Sequence, residues 1–262
     1  LTVEEAAKSI DLATIVLLFA FMVVSAQMRL GGFYAAVTRR VGNWPLSRKA
    51  LLAAIILVSG ALSAVFSNDI VCLAMTPVVA RLCLQRGLNP LPFLLGLACA
   101  ANIGSAATLI GNPQNMLIGS VLQLPFAGYV RQALPPVLVS LALLWAWLAF
   151  GPDMSVAKHG SGPAAAPKGE GMDHADAEEP VFDAWQTAKG LAVAAVLLLI
   201  FLFTDWPRDV AALVGAGVLL LSRRLQSARV MGLVDWPLLI LFMGLFVVNH
   251  AFESTGLARQ AV

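Results

Sequence analysis

Of 262 residues, 59% are apolar and only 12% are charged, whereas soluble domains carry roughly 25% charged residues. An ordinary soluble globule is excluded, because no core of this size hides so much apolar surface, and a bilayer takes it up in runs of about 20 residues. The formal net charge of +2 is too small to suggest a nucleic-acid partner, so the composition predicts an all-α polytopic membrane protein.

The chain begins LTVEEAAKSID, without Met or a basic leader, so the start of the whole protein is expected upstream of residue 1. Apolar runs follow at 12–28, 50–66, 70–80, 93–124, 133–150, 191–203, 210–221 and 238–252. Two have the wrong length for a simple span. The run 70–80 gives roughly 16 Å of helix and 93–124 near 48 Å, against a hydrocarbon core of about 30 Å. A short leg and a broken helix are expected. Cys72, Cys83 and Cys99 lie in or beside these runs without a CxxC pair or a His at ligand spacing, and read as small apolar packers.

Between the fifth and sixth runs the composition changes to Gly, Pro and acid. Seven of the fifteen carboxylates, together with His159 and His174, fall between Asp153 and Asp183, which reads as a flexible solvated linker rather than a metal site. The predicted organisation is therefore a first transmembrane repeat over 1–150, with a hairpin at about 50–80 and a broken helix at about 92–124. An acidic linker occupies 151–185, and 186–262 starts a second, incomplete repeat, so the chain is expected to be truncated.

Short loops rich in Lys and Arg stay cytoplasmic. Arg29, Arg39, Arg40, Arg48 and Lys49 stand together with no acid among them, and Arg81 and Arg86 follow the short run. Both segments are assigned inside, which makes 50–80 a re-entrant hairpin with its tip at Ser67, Asn68 and Asp69. By parity the broken run crosses outward, 133–150 returns, and the linker and the basic SRRLQSAR around Arg223 lie inside. At a constant offset of 224, IDLATIVLLFAFMVVSAQMRLGGF aligns with VDWPLLILFMGLFVVNHAFESTGL, and the two copies cross in opposite senses, as an inverted repeat requires.

Two segments could carry chemistry. In SAVFSNDIVCLAMTP, Asp69 is the only carboxylate between Asp11 and Asp153, and an ionised carboxylate at membrane depth is retained for a cation, a proton or a partner; Ser-Asn-Asp is also a serviceable solvent-facing turn. In AANIGSAATLIGNPQNMLIG, Asn102, Ser105, Thr108, Asn112, Gln114 and Asn115 crowd between Gly104, Gly111 and Pro113, with no charge from Gly87 to Val130. Irregular backbone at that depth must be buried or line a cavity, although small residues packing a helix and an external Gly-Asn-Pro turn would look alike.

Together, SNDIVCLAMTPVV and LGLACAANIGSAATLIGNPQNMLIG resemble the first-repeat signature of the ion transporter superfamily, which includes arsenite permeases, citrate and dicarboxylate transporters and some sodium/proton antiporters. The resemblance implies two inverted repeats, each with a re-entrant hairpin and a discontinuous helix whose tips meet at midplane, in a homodimer with an elevator-like transport domain. It places the substrate and ion site at Ser67, Asn68, Asp69, Asn102, Gly104, Ser105, Thr108, Gly111, Asn112, Pro113 and Asn115, with a sodium ion at Ser67, Asn68 and Asp69. Where sodium-coupled dicarboxylate members resemble Ser-Asn-Thr at the tip, this chain has Asp69, which also permits proton coupling.

The expectation is a secondary active transporter in an inner (plasma) membrane of the bacterial kind, without cofactor, moving a small inorganic or carboxylate anion coupled to a sodium or proton gradient. A sodium/proton antiporter, a non-coupled channel and a structural membrane subunit are the alternatives. An enzyme is disfavoured: an intramembrane aspartyl protease needs two carboxylates at depth, and Ser67 has no histidine for a serine mechanism.

Overall fold

The computed structural model describes residues 2–151, 182–204, 206–221 and 227–254, and among these every regular element is a helix. A short α1 (Val3–Lys8) precedes α2 (Leu12–Leu30), whose first turn is capped by the Asp11 carboxylate accepting the Thr14 N–H at 3.1 Å. Gly31 and left-handed Gly32 (φ 69°) turn the chain into α3 (Phe33–Gly42). Next come α4 (Arg48–Ser63), α5 (Asn68–Gln85), α6 (Leu91–Ser105), α7 (Pro113–Val121) and α8 (Phe126–Phe150). After the linker the order is α9 (Ala184–Phe203), α10 (Arg208–Leu220), α11 (Ser227–Met231) and α12 (Trp236–Ser254). Four of these, α2, α5, α8 and α9, are long and apolar enough to cross a membrane.

The long run is broken where expected, with residues 106–112 separating α6 from α7. The short return leg is corrected. Hydropathy ends it at Arg81, but α5 continues to Gln85 and has 18 residues, about 27 Å of helix. The helix passes Arg81 because Arg81, Leu84 and Gln85 are exposed while Cys83 is buried. It stops at Gly87, whose φ of 63° lets the Leu88 N–H reach the Cys83 carbonyl at 2.8 Å. The linker with its His159 and His174, and the basic stretch around Arg223, lie outside the described residues.

Cross-chain contacts sort the helix ends into two groups. At one end, Arg86 donates to the Trp44 carbonyl at 2.7 Å and to those of Gly42 and Leu46, tying the end of α5 to the α3–α4 loop. There too the Lys49 ammonium lies 3.7 Å from the Phe150 ring centroid. Separately, the Asp183 N–H donates to the Gly31 carbonyl at 3.1 Å, joining the start of α9 to the α2–α3 turn. At the other end, Ser120 in the last turn of α7 donates to the Asp11 carboxylate at 3.1 Å, and Arg208 donates to the Leu124 carbonyl. The parity drawn from the basic loops assigns the first group inside and the second outside.

The central helix is α2, buried without interruption from Ala20 to Met28 and packed against α5, α7, α9 and α10. The offset of 224 maps Leu12–Leu30 onto 236–254, the bounds of α12, and Asp235 caps α12 through the Leu238 N–H at 2.9 Å as Asp11 caps α2. Phe19, inside α2, meets Trp236 at the start of α12 with ring centroids 5.9 Å apart, while α1 touches α12. The two helices therefore run in opposite directions.

Candidate functional site

The hairpin tip is the four-residue turn between Ser63 and Asn68. Phe66 is buried and packs edge-on against Tyr34 (5.9 Å, 89°) and near-perpendicular to Phe33 (6.2 Å, 63°), both from α3. The Ser67 N–H donates to the Ser25 hydroxyl of α2 at 3.1 Å, so the start of α5 is held by another helix rather than by a side-chain cap of its own. Ser25 lies 14 residues past Asp11, about 21 Å of helix, so the tip meets α2 far from the end where α2 begins.

Helices α4 and α6 carry the tip and the break side by side through small residues. A Cβ on Gly104 would lie 2.3 Å from the Gly60 Cα and carbonyl oxygen, and one on Gly111 would lie 2.3 Å from the Ser105 carbonyl oxygen and 2.7 Å from that of Ser63. Both glycines are there because backbone occupies the space a side chain would need. The expectation that small residues on the broken helix admit another element is met at Gly104.

At the break, the side chains divide into two sets. Four of them satisfy backbone that the interrupted helix leaves open. Thr108 donates to the Ala64 carbonyl of the hairpin turn at 2.5 Å, Asn115 donates to the carbonyls of Thr108 (2.9 Å) and Ser105 (3.3 Å), and Asn112 donates to the Ser105 hydroxyl at 2.9 Å. Asn112 also caps α7 through the Asn115 N–H at 2.8 Å, ahead of Pro113 at the first helical position, where its missing N–H costs nothing. Ser105 and Thr108 are buried.

Asn68, Asp69 and Asn102 form the second set. Asn68 is 8% exposed and donates to the Asn102 amide oxygen at 3.2 Å, and the Asn102 amide nitrogen donates to the Ala98 carbonyl at 3.0 Å. Asp69, in the first turn of α5, and Asn102 are exposed and open the site to one side. Two buried oxygens, Ser63 Oγ and Asn68 Oδ1, have no hydrogen-bond partner. The structure thus brings together the sequence-derived residues from both motifs and adds Ser25, Ser63 and the Ala64 carbonyl. Ser63 stands inside the quoted hairpin motif, but Ser25 lies 42 residues from its partner in an apolar helix and carries no local signal.

Comparison with known proteins places this arrangement. The model of the citrate transporter family matches residues 1–262. An uncharacterized transporter of Mycobacterium tuberculosis is 30% identical over 96% of this chain and 58% of its own length. A silicon efflux transporter of Oryza sativa subsp. japonica is 36% identical over 55% of this chain and 30% of its own, and the inner membrane protein YbiR of Escherichia coli is 29% identical over 92% and 60%. The chain spans somewhat more than half the length of the full-coverage relatives, which are named as a transporter and an inner membrane protein. With a hairpin and an interrupted helix meeting through Asn68 and Asn102 in an all-α membrane protein, the chain belongs to the citrate transporter family of integral membrane transporters.

Proposed function

We propose that the full-length protein is a secondary active transporter that moves a small anion or oxyanion across the membrane, driven by a sodium or proton gradient and working as a homodimer. The observation that carries this reading is the crossing of Asn68 and Asn102, where the buried Asn68 Oδ1, next in sequence to Asp69, has no donor, as Ser63 Oγ at the end of α4 has none. Oxygens without donors beside a carboxylate suit a cation. The cation sits with Ser67, Asn68 and Asp69, and the substrate lies across Asn102 and the break formed by Gly104, Ser105, Thr108, Gly111, Asn112, Pro113 and Asn115.

The contact of the tip with Ser25 supports a re-entrant hairpin even though α5 is longer than a short leg. The antiparallel α2 and α12, capped alike at an offset of 224, support an inverted repeat. No covalent step is needed: cation binding has only to favour the loaded conformation over the empty one. Family and relative are named for citrate and silicon respectively, which supports a substrate in the class of small anions and oxyanions.

The test is uptake of labelled citrate, arsenite and related oxyanions into proteoliposomes holding the full-length protein, with a sodium or pH gradient imposed. Saturable uptake that needs one gradient and fails in Asp69→Asn is expected. Ion exchange without anion uptake would favour the antiporter, and flux indifferent to both gradients would overturn coupled transport. Activity of Asp69→Asn unchanged from pH 5 to 8 would remove Asp69 from the coupling role.

A further inference from the structure

We propose that Cys72 and Cys99 form a dithiol bridging α5 and α6 at the rim of the Asn68–Asn102 crossing, and that it captures thiophilic Lewis acids of the trivalent-arsenical class. The pairing follows from helix register. The loop 86–90 joins α5 to α6, so the two run antiparallel, and the Asn68–Asn102 hydrogen bond fixes their alignment. Moving four residues forward from Asn68 and three back from Asn102 travels in the same direction along both helices, by about 6 Å and about 4.5 Å. The residues reached are Cys72 and Cys99, turned toward the same side of the groove by about 40° and about 60°.

Burial agrees with that geometry. Cys99 is exposed and Cys72 partly so, on the same open side as Asp69 and Asn102. Cys72 also lies within electrostatic range of both Cys99 and Asp69. Cys83 lies on nearly the same face of α5, but 11 residues and about 16 Å further along the helix, and is fully buried.

The ligand class follows from what the site lacks. Among the described residues no group of three or more His, Cys, Asp or Glu side chains forms, so a four-coordinate cation such as zinc has no cage. Two soft thiols without further ligands suit an arsenic(III) centre that keeps its own third substituent. With phenylarsine oxide the step is condensation: the two S–H bonds break, two As–S bonds form, and the arsenic-bound oxygen leaves as one water. Arsenic stays trivalent and no oxidant is consumed. This inference stands on the thiols alone and does not depend on which solute is transported.

The experiment is maleimide labelling of the full-length protein in nanodiscs, before and after phenylarsine oxide, with labelled sites read by peptide mass spectrometry. The arsenical is expected to abolish labelling of Cys72 and Cys99 together, with recovery under a 1,2-dithiol but not under an equal thiol concentration of a monothiol. Cys72→Ser and Cys99→Ser should each lose the monothiol-resistant protection of the remaining partner, while Cys83→Ala keeps it. Labelling of both cysteines unaffected by the arsenical, protection surviving in either single Ser variant, or loss of protection in Cys83→Ala would each overturn the pairing.

Discussion

Asp69 and Asn68 were readable as site residues because a carboxylate and an amide inside apolar runs are costly and need a reason to persist. Buried polar residues whose partners are remote in sequence were not. Gln27 and Gln186 are both buried and share one hydrogen bond, Gln27 Nε2 to Gln186 Oε1 at 2.7 Å, across 159 residues, while Gln27 Oε1 and Gln186 Nε2 have no partner. Nothing in either local sequence pairs them. Removing one amide leaves the other wholly unpaired in an apolar setting, which costs about 1–3 kcal/mol, whereas replacing both by apolar groups of similar size is nearly neutral. Gln27→Leu alone should therefore lower the melting temperature in detergent, and Gln27→Leu with Gln186→Leu should recover most of the loss. A double variant as unstable as the sum of the singles would show that the pair is not coupled.

At the scale of elements, the helix interruption was legible because Gly104, Gly111 and Pro113 mark it. The end of α5 was misjudged by following hydropathy instead of capping: the readable stop is Gly87, not Arg81. Hydropathy reports which surface meets lipid, whereas a helix ends where its carbonyls find other partners. The same distinction separates glycines by what surrounds them. Gly104→Ala has to push the backbone of Gly60, which cannot rotate away, and should cost about 1–3 kcal/mol as overpacking. It should also separate α4 from α6 and so weaken the site that they carry. Gly217, inside α10, has nothing within 4 Å of its missing Cβ, so Gly217→Ala gains helix propensity of about 0.5–1 kcal/mol without a clash. Thermal melting of the two variants should move in opposite directions, and a Gly104→Ala protein as stable as the parent would mean that α4 and α6 are not so close.

For the whole molecule, contacts between helix ends and the distribution of basic residues are independent observations that divide the loops alike. Arg86, Lys49 and Phe150 meet at the end that holds Arg39, Arg40 and Arg48, whereas Asp11, Ser120, Leu124 and Arg208 meet at the other. Because Lys and Arg resist translocation, the first end is predicted to be cytoplasmic. A residue in the α3–α4 corner and one in the α5–α6 turn should then be reached from the cytoplasm, and one in the α7–α8 turn only from outside. Single cysteines at Arg40, Gly87 and Gln123 in a cysteine-free background test this with a membrane-impermeant maleimide. In inside-out vesicles the first two should label and the third should not; in right-side-out vesicles the pattern should invert. The position at Gly87 is the most informative of the three. If the α4–α5 hairpin enters and leaves on one side, it labels with Arg40; a protein in which α4 crosses fully and α5 does not return would label it with Gln123, and the re-entrant reading of the hairpin would fall with that result.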